Sequence, residues 1–289
     1  MASAELRLET NVEGDVFVDS TCIDCDACRQ IAPETFRESG GQSAVWQQPE
    51  TEEARMRAAM ALVACPTASI GARTLDVRAA SAVFPVLVEE NVHFNGYTSE
   101  SSFGAFSYLV TRPEGNVMID SPRFARPLVR RIEALGGIDR ILLTHRDDVA
   151  DHARFAAHFD ARRTLHRDDV ISSTSAVESQ PAGSDPVGID GDFVMIPTPG
   201  HTRGHAVFLH QDRFLFTGDH LAWDPRRERL YAFRRACWYS WDEQVRSMER
   251  LLDYSFEWVL PGHGRPVRLP RATMHEELIR CVRWMKSRS

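Results

Sequence analysis

Long apolar runs and lysine are the two features most clearly missing from this 289-residue sequence. No apolar run approaches the roughly 18 residues that a membrane-spanning helix needs, so we expect no membrane partner. Of the 34 basic residues only Lys286 is a lysine, and the arginines are scattered in the manner of a GC-rich genome rather than clustered. The net charge of −7 disfavours binding to nucleic acid or to an anionic membrane surface.

Two short motifs are also missing. The first residues, MASAELRLETNVEGD, have no basic start followed by an apolar segment, so we expect no secretory signal and a reducing, cytoplasmic location. The GxSxG motif of serine hydrolases is absent, so we expect no serine nucleophile. Six cysteines are present, four of them within the first 65 residues. In a reducing compartment, clustered cysteines are better explained as metal ligands than as disulfides.

The chain has two segments of different character, and its 43% apolar and 26% charged residues are ordinary for a soluble globular protein. The first, predicted as a domain over 1–78, holds the strand-like runs LRLET and DVFVD and a helix that begins at Thr51. The second, predicted over 82–289, has strands first and then alternating strands and helices, which indicates layers around a sheet core. We expect the junction within 76–84 and a polar loop over 172–191.

The N-terminal cysteines follow the pattern Cys22-x2-Cys25-x2-Cys28, with Cys65-Pro66 further along the chain. Two-residue gaps place three thiolates on one tight loop, and a distant Cys-Pro can supply the fourth. Zinc would favour two paired knuckles, which this spacing does not provide. The pattern therefore predicts an iron–sulfur cluster.

This region resembles bacterial single-cluster ferredoxins over nearly its whole length, in DSTCIDCDACRQIAPETF, in the Gly40-Gly41 turn and in LVACPTASI. The resemblance implies a small α+β domain with one [4Fe–4S] cluster held by Cys22, Cys25, Cys28 and Cys65. A second full set of four cysteines is absent, so a second cluster is not expected.

Histidine and aspartate gather in four later segments, each directly after a strand-like run. They are THRDDVADH (144–152), TPGHTRGH (198–205), FTGDH (216–220) and LPGHG (260–264). Loops that follow strands meet at one edge of a sheet, which is where a site assembled from distant residues forms.

In this order the segments resemble the metallo-β-lactamase superfamily, with the glyoxalase II-like hydrolases as the nearest familiar branch. The resemblance covers roughly residues 83–270 and implies an αββα sandwich with two divalent metal ions, zinc favoured and iron as the alternative. The ligands that it implies are His145, Asp147, Asp151, His152, His201, Asp219 and His263. Asp219 would bridge the two ions, and Asp151 would also be the catalytic residue that orients a metal-held hydroxide and takes part in proton transfer.

The first segment departs from the family pattern His-x-His-x-Asp-His. One histidine is replaced by aspartate, and two extra residues separate it from the closing Asp151-His152 pair. We predict that Asp147 replaces the histidine, with Asp148 as the rival and otherwise the N-cap of the following helix. His205 and His220 could orient ligands or be structural, and Arg203 could steer an anionic substrate.

Three functions are compatible with these motifs. The first is a metal-dependent hydrolase that acts on a small ester, thioester or related substrate. The second is a diiron oxidoreductase supplied with electrons by the cluster and served by a redox partner protein, since two imidazoles and a carboxylate suit non-haem iron. The third is a redox or iron sensor without catalysis. The sequence determines neither the substrate nor the oligomeric state.

Overall fold

The computed structural model describes residues 2–288 and divides the chain into two compact units. The first unit contains the residues up to Asp139 together with Ala150–Ala161, and the second contains Arg140–Val149 together with the residues from Arg162 onward. The predicted domains, 1–78 and 82–289, meet at a point inside the first unit and not at its boundary with the second. These domain limits stay predictions.

Both units contain helices and strands. The α-helices are α1 (Ala27–Ile31), α2 (Glu52–Ala64), α3 (Val77–Val83), α4 (Arg126–Ala134), α5 (His152–Phe159), α6 (Trp241–Arg250) and α7 (Arg271–Lys286). The strands are β1 (Phe17–Val18), β2 (Phe36–Ser39), β3 (Gln42–Val45), β4 (Ile70–Gly71), β5 (Val86–Glu89), β6 (Val92–Phe94), β7 (Tyr108–Val110), β8 (Val117–Ile119), β9 (Arg140–Leu142), β10 (Arg162–Thr164), β11 (Val187–Ile189), β12 (Phe193–Pro197), β13 (Ala206–His210), β14 (Phe214–Gly218), β15 (Ala222–Asp224), β16 (Arg229–Tyr231), β17 (Trp258–Pro261) and β18 (Val267–Arg268).

The first unit contains two small antiparallel pairs, β1–β4 and β2–β3, and an antiparallel sheet in the order β8-β7-β6-β5. Helix α2 packs small residues inward, because Ala58, Ala61 and Ala64 are fully buried. Small side chains let the helix approach α1 and the short strands closely. One apolar core, which includes Phe36 and Val45, joins these elements to the cysteines.

The second unit is built around a sheet in the order β11-β12-β13-β14-β17-β18, with β14 and β17 parallel. Every residue of β13 and β14 is buried, which is typical of strands covered on both faces. Helices α6 and α7 contribute Met248, Leu278 and Met285 to a core shared with this sheet. A parallel pair, β9–β10, also belongs to this unit. Buried central strands give the loops at their ends a rigid base.

Two predictions of local structure were wrong. The run LRLET begins with the last residue of a 3₁₀ turn (Ala4–Leu6) and has an isolated bridge at Arg7 instead of a strand. Residues 77–83 of the predicted junction form helix α3, whose first turn is capped by Asp76, and the domain junction itself stays a prediction. The polar loop predicted over 172–191 contains strand β11. Among residues 2–288, no helix is both long enough and apolar enough to cross a membrane.

The start of α2 was predicted correctly and gives a test of local stability. The Thr51 hydroxyl accepts a hydrogen bond from the Ala54 N–H at 3.1 Å. We expect Thr51→Ala to lower the free energy of unfolding by ~1 kcal/mol, because that N–H loses its partner. Urea unfolding of the full chain, followed by circular dichroism, measures the change. Thr51→Ser is the control because it keeps the hydroxyl, and an equal loss in both variants would contradict the capping role.

Candidate metal centres

The cysteines at positions 22, 25, 28 and 65 line one pocket in the first unit. Cys22 and Cys25 lie on the loop that leads into α1, Cys28 lies in the first turn of α1, and Cys65 directly follows the last residue of α2. Four sulfur donors from two segments therefore face a common space, as the sequence predicted.

The loop between these cysteines needs an unusual backbone conformation. Asp24 and Asp26 have positive φ values of 61° and 68°, a region that aspartate tolerates better than most residues. Both carboxylates pair with Arg29, at 2.6 Å and 2.5 Å. This pairing fixes the loop in a shape that directs three sulfur atoms to one side.

The donor set fits an iron–sulfur cluster. Backbone N–H groups of Ser43 and Ser69 donate to the sulfur atoms of Cys22 and Cys65, at 3.5 Å and 3.3 Å. Such hydrogen bonds stabilise thiolate ligands. Burial raises the pKa of the Cys25 thiol to about 12. The Cys25 thiol is therefore protonated until iron binds, and binding must release its proton.

The histidines and aspartates of the second unit converge where strands end. His145 follows β9, His201 follows β12, Asp219 follows β14 and His263 follows β17. His145 is completely buried and His201 is nearly so. The prediction that these strand ends bring their side chains together therefore agrees with the observed geometry.

Two groups of three residues have donor atoms within 4.8 Å of one another, and both include His145. One adds Asp147 and His201, and the other adds Asp148 and Asp219. The Asp147 Oδ2 lies 3.5 Å from the His201 Nε2, and the Asp148 Oδ2 lies 3.9 Å from the His145 Nε2. These separations are long for hydrogen bonds. They suit two ligands that share one ion, since ligands ~2.0–2.1 Å from a tetrahedral zinc lie roughly 3.4 Å apart.

The two oxygens of Asp219 face different histidines. Its Oδ1 lies 2.7 Å from the His263 Nδ1, and its Oδ2 lies 3.7 Å from the His201 Nε2. A carboxylate in this orientation can bridge two ions, which is the role that the resemblance implied for Asp219.

Electrostatics favour the metal-binding protonation states of His145, Asp147 and Asp219. Burial lowers the pKa of His145 to about 4, so its imidazole is neutral at pH 7. Burial alone would raise the pKa of Asp219, but the nearby His263 outweighs it and holds that pKa far below its usual value. The nearby His201 imidazole lowers the pKa of Asp147. Neutral imidazoles and ionised carboxylates are the forms that coordinate divalent ions.

Neighbouring groups bind one nitrogen of each central imidazole and leave the other facing the site. The His201 Nδ1 lies 2.5 Å from the Ala236 carbonyl oxygen, and the His145 Nδ1 lies 2.9 Å from the Thr144 hydroxyl. Within residues 2–288, the buried Nε2 atoms of His145 and His201 have no hydrogen-bond partner. A metal ion would supply that partner.

Asp169, which the sequence did not single out, holds together two loops of the candidate site, the one that contains Arg146 and the one that contains Thr202. Its Oδ2 accepts hydrogen bonds from the Arg146 N–H at 3.0 Å and the Thr202 hydroxyl at 2.5 Å, and its Oδ1 accepts one from the Gly204 N–H at 2.6 Å. A Cβ at Gly204 would lie 2.4 Å from the Asp169 nitrogen, so only glycine fits there. The only sequence feature that could have pointed to Asp169 is the triplet Arg-Asp-Asp, which occurs at 146–148 and again at 167–169.

A second missed feature is the segment that follows Ala236. Trp238 is 64% exposed and donates its backbone N–H to the His201 carbonyl oxygen at 2.9 Å. Its indole centroid lies 6.1 Å from the His201 ring. Tyr239 beside it is 49% exposed. Two exposed aromatic rings therefore border the histidine and aspartate site.

The other predicted residues have more varied positions. His205 and His220 are fully buried with ring centroids 5.6 Å apart, and burial lowers the pKa of His220 to about 3. Arg203 is exposed and pairs with Asp168 at 3.3 Å, so its role in steering substrate stays a prediction.

The residues around the altered motif divide between the two units. Asp148 is not the N-cap that was predicted as its alternative role: α5 begins at His152, four residues later, with Asp151 at the N-cap position, and Asp148 is buried in the second unit. Asp151 and His152 belong to the first unit, where the Asp151 Oδ2 accepts a hydrogen bond from the Phe124 N–H at 2.6 Å. Their part in binding metal stays a prediction.

Comparison with known proteins supports both parts of this description. Residues 18–72 match the family model of the 4Fe-4S single cluster domain of Ferredoxin I. A hydroxyacylglutathione hydrolase of Acidiphilium cryptum (strain JF-5) is 32% identical over 120 residues, which is 40% of this chain. The match spans about half of that relative's length, 49%.

Solved structures agree on the fold. A metallo-β-lactamase from Pontibacter korlensis has a TM-score of 0.53 at 19% identity, over 68% of this chain and 97% of its own. The DIM-1 metallo-β-lactamase has a TM-score of 0.50 at 16% identity, over 70% and 96%. The chain thus carries a ferredoxin-type 4Fe–4S domain and, in the rest of its length, a mixed α/β metallo-β-lactamase fold, which confirms the predicted fold class and both resemblances.

Gly262 gives a test of the geometry at the histidine and aspartate site. A Cβ at this position would lie 2.6 Å from the Asp148 Oδ2 and 3.3 Å from the Asp219 Oδ1. We expect Gly262→Ala to weaken divalent-metal binding by about 10- to 100-fold, because both carboxylates must move. Competition with a chromophoric chelator measures the affinity.

Gly188→Ala is the matched control, because a Cβ there would have no atom within 4 Å. Its metal affinity should equal that of the wild type. An unchanged affinity in Gly262→Ala would mean that these carboxylates do not hold metal.

Proposed function

We propose that this protein is a metal-dependent hydrolase that cleaves an ester, thioester or related bond in a small-molecule substrate. The observation that carries the proposal is the pair of three-residue groups that share His145, located at strand ends of a metallo-β-lactamase fold. The name of the Acidiphilium cryptum relative, hydroxyacylglutathione hydrolase, supports a thioester substrate, since hydroxyacylglutathione is a thioester.

The proposed ligands form two sets bridged by Asp219. His145, Asp147 and His201 would hold the first ion, and His263 with Asp148 would face the second. Asp151 and His152 are the further second-ion ligands that the resemblance implies, and Asp151 is the proposed proton acceptor. When bound, the pair of divalent ions would activate water and polarise the substrate carbonyl oxygen.

The residues of this chain would position the substrate and exclude water. Ala236 holds the His201 ring through its carbonyl oxygen, so the segment from Ala236 to Tyr239 is tied to the proposed centre. Trp238 and Tyr239 would then present apolar surface to the part of the substrate that does not react. The buried Asp169 would hold the loops of Arg146 and Thr202 in fixed positions relative to one another, because its side chain accepts hydrogen bonds from both.

A diiron oxidoreductase is the second candidate. It is favoured by the presence of a ferredoxin-type domain in the same chain, because hydrolysis needs no electron source. His145, Asp147 and His201 are two imidazoles and one carboxylate, a set that suits non-haem iron. A redox partner protein would then deliver electrons to the cluster.

Metal content separates these candidates. After anaerobic purification, we expect about four iron with about two zinc per chain for the hydrolase, and about six iron with little zinc for the diiron enzyme. Thioester hydrolysis that is lost with a zinc chelator and restored by zinc would support the first. Four iron with an empty histidine and aspartate site and no hydrolysis would contradict both.

Substitution at residue 147 tests the ligand assignment. We expect Asp147→His to keep two divalent ions, since imidazole replaces carboxylate as a donor. Asp147→Ala should lose the first ion and hydrolysis with it. Metal analysis and a thioester assay of both variants measure these outcomes. If the two variants bind metal alike, Asp147 is not a ligand, and Asp148→Ala then tests the rival.

A further inference from the structure

The predicted cluster ligands and the end of α2 are contacted by residues that lie beyond the ferredoxin match, which ends at residue 72. Thr98, Gly104 and Arg123 belong to the same compact unit as the cysteines. Each of them contacts a cysteine ligand or the helix end that carries one. The protein environment of the cluster is therefore larger than the matched domain.

Arg123 binds the carboxyl end of α2, where the fourth cysteine lies. Its Nη1 donates to the carbonyl oxygens of Cys65 at 2.9 Å and Thr98 at 2.8 Å, and its Nη2 donates to that of Val63. The Thr98 hydroxyl donates to the Ala64 carbonyl oxygen at 2.8 Å. These are the carbonyls that a helix leaves without partners at its end, where a cation is favourable.

Gly104 packs against another predicted cluster ligand, Cys25. A Cβ at this position would lie 2.6 Å from the Cys25 Cβ and 2.7 Å from its sulfur, so the backbone of this loop lies directly against that ligand. Gly104 also has a φ of 82°, which other residues rarely adopt. Close backbone packing excludes solvent from this ligand, and less solvent means that a nearby charge is less screened.

We propose that Arg123 is a positioning residue that holds Cys65 in place and raises the reduction potential of the [4Fe–4S] cluster. Reduction adds one negative charge to the cluster. A guanidinium group that is bonded to the carbonyl of a cluster ligand stabilises the reduced form more than the oxidised form. The guanidinium is always charged at physiological pH, so its effect on the reduction potential is always present.

The test is a potentiometric titration of the cluster-loaded full chain, monitored by electron paramagnetic resonance. Arg123→Gln keeps a polar side chain and removes the charge. We expect a more negative midpoint potential, on the order of tenfold in the reduction equilibrium, or ~59 mV for one electron. Arg123→Lys keeps the charge but not the full set of hydrogen bonds, and its potential should stay close to that of the wild type.

Arg78→Gln is the matched control, because it removes one positive charge from an exposed position on α3 of the same unit. Its potential should be unchanged. Iron and sulfide analysis shows whether each variant holds the cluster. A wild-type potential in cluster-loaded Arg123→Gln would overturn the proposal.

Two other outcomes are also decisive. If Arg123→Gln cannot hold the cluster, the midpoint potential of Arg123→Lys decides. A potential equal to that of the wild type supports the role of the charge, and a more negative potential overturns it. If both variants lose the cluster, the role of Arg123 is structural only and the proposal fails.

Discussion

Buried imidazole nitrogens without a protein partner are the constraint on which the second unit depends. The Nε2 atoms of His145 and His201 are buried and lack a hydrogen bond within residues 2–288. Leaving such an atom unsatisfied costs about 1–3 kcal/mol each, so a folded protein retains several of them together only when something else satisfies them. Ionised carboxylates at 3.5–3.9 Å complete the arrangement that a divalent cation requires. The hydrolase proposal, the roles of Asp147 and Asp219 and the importance of Gly262 all follow from this constraint.

Much of the site could be predicted from sequence because its donors follow strands. His145, His201, Asp219 and His263 each come directly after an apolar run, and the order of their motifs is specific. Strand ends are a local property of the sequence, and their meeting at one edge follows from sheet geometry. The cysteine loop was predictable for the same reason, since its spacing alone places three donors together.

The missed residues depend on contacts between distant parts of the chain. Asp169 acts through Thr202 and Gly204, more than 30 residues away, and nothing in its own neighbourhood distinguishes it from Asp168. Asp148 was a candidate helix cap because its local sequence allows that role, but α5 begins later and the side chain is buried. The run LRLET has the alternation of a strand but pairs only at an isolated bridge. In each case tertiary packing decided between conformations that local sequence leaves nearly equal.

Within the first unit, hydrogen bonds link the ferredoxin-type domain to the segment that holds Asp151. Arg123 contacts the carbonyl of Cys65, and the next residue, Phe124, donates its N–H to Asp151. Two adjacent residues therefore contact a proposed cluster ligand and the proposed proton acceptor. One planar peptide unit joins Arg123 and Phe124, so the anchoring of the Arg123 side chain at Cys65 restrains the backbone position from which the Phe124 N–H reaches Asp151. The two contacts therefore help to hold Cys65 and Asp151 in fixed positions within the first unit.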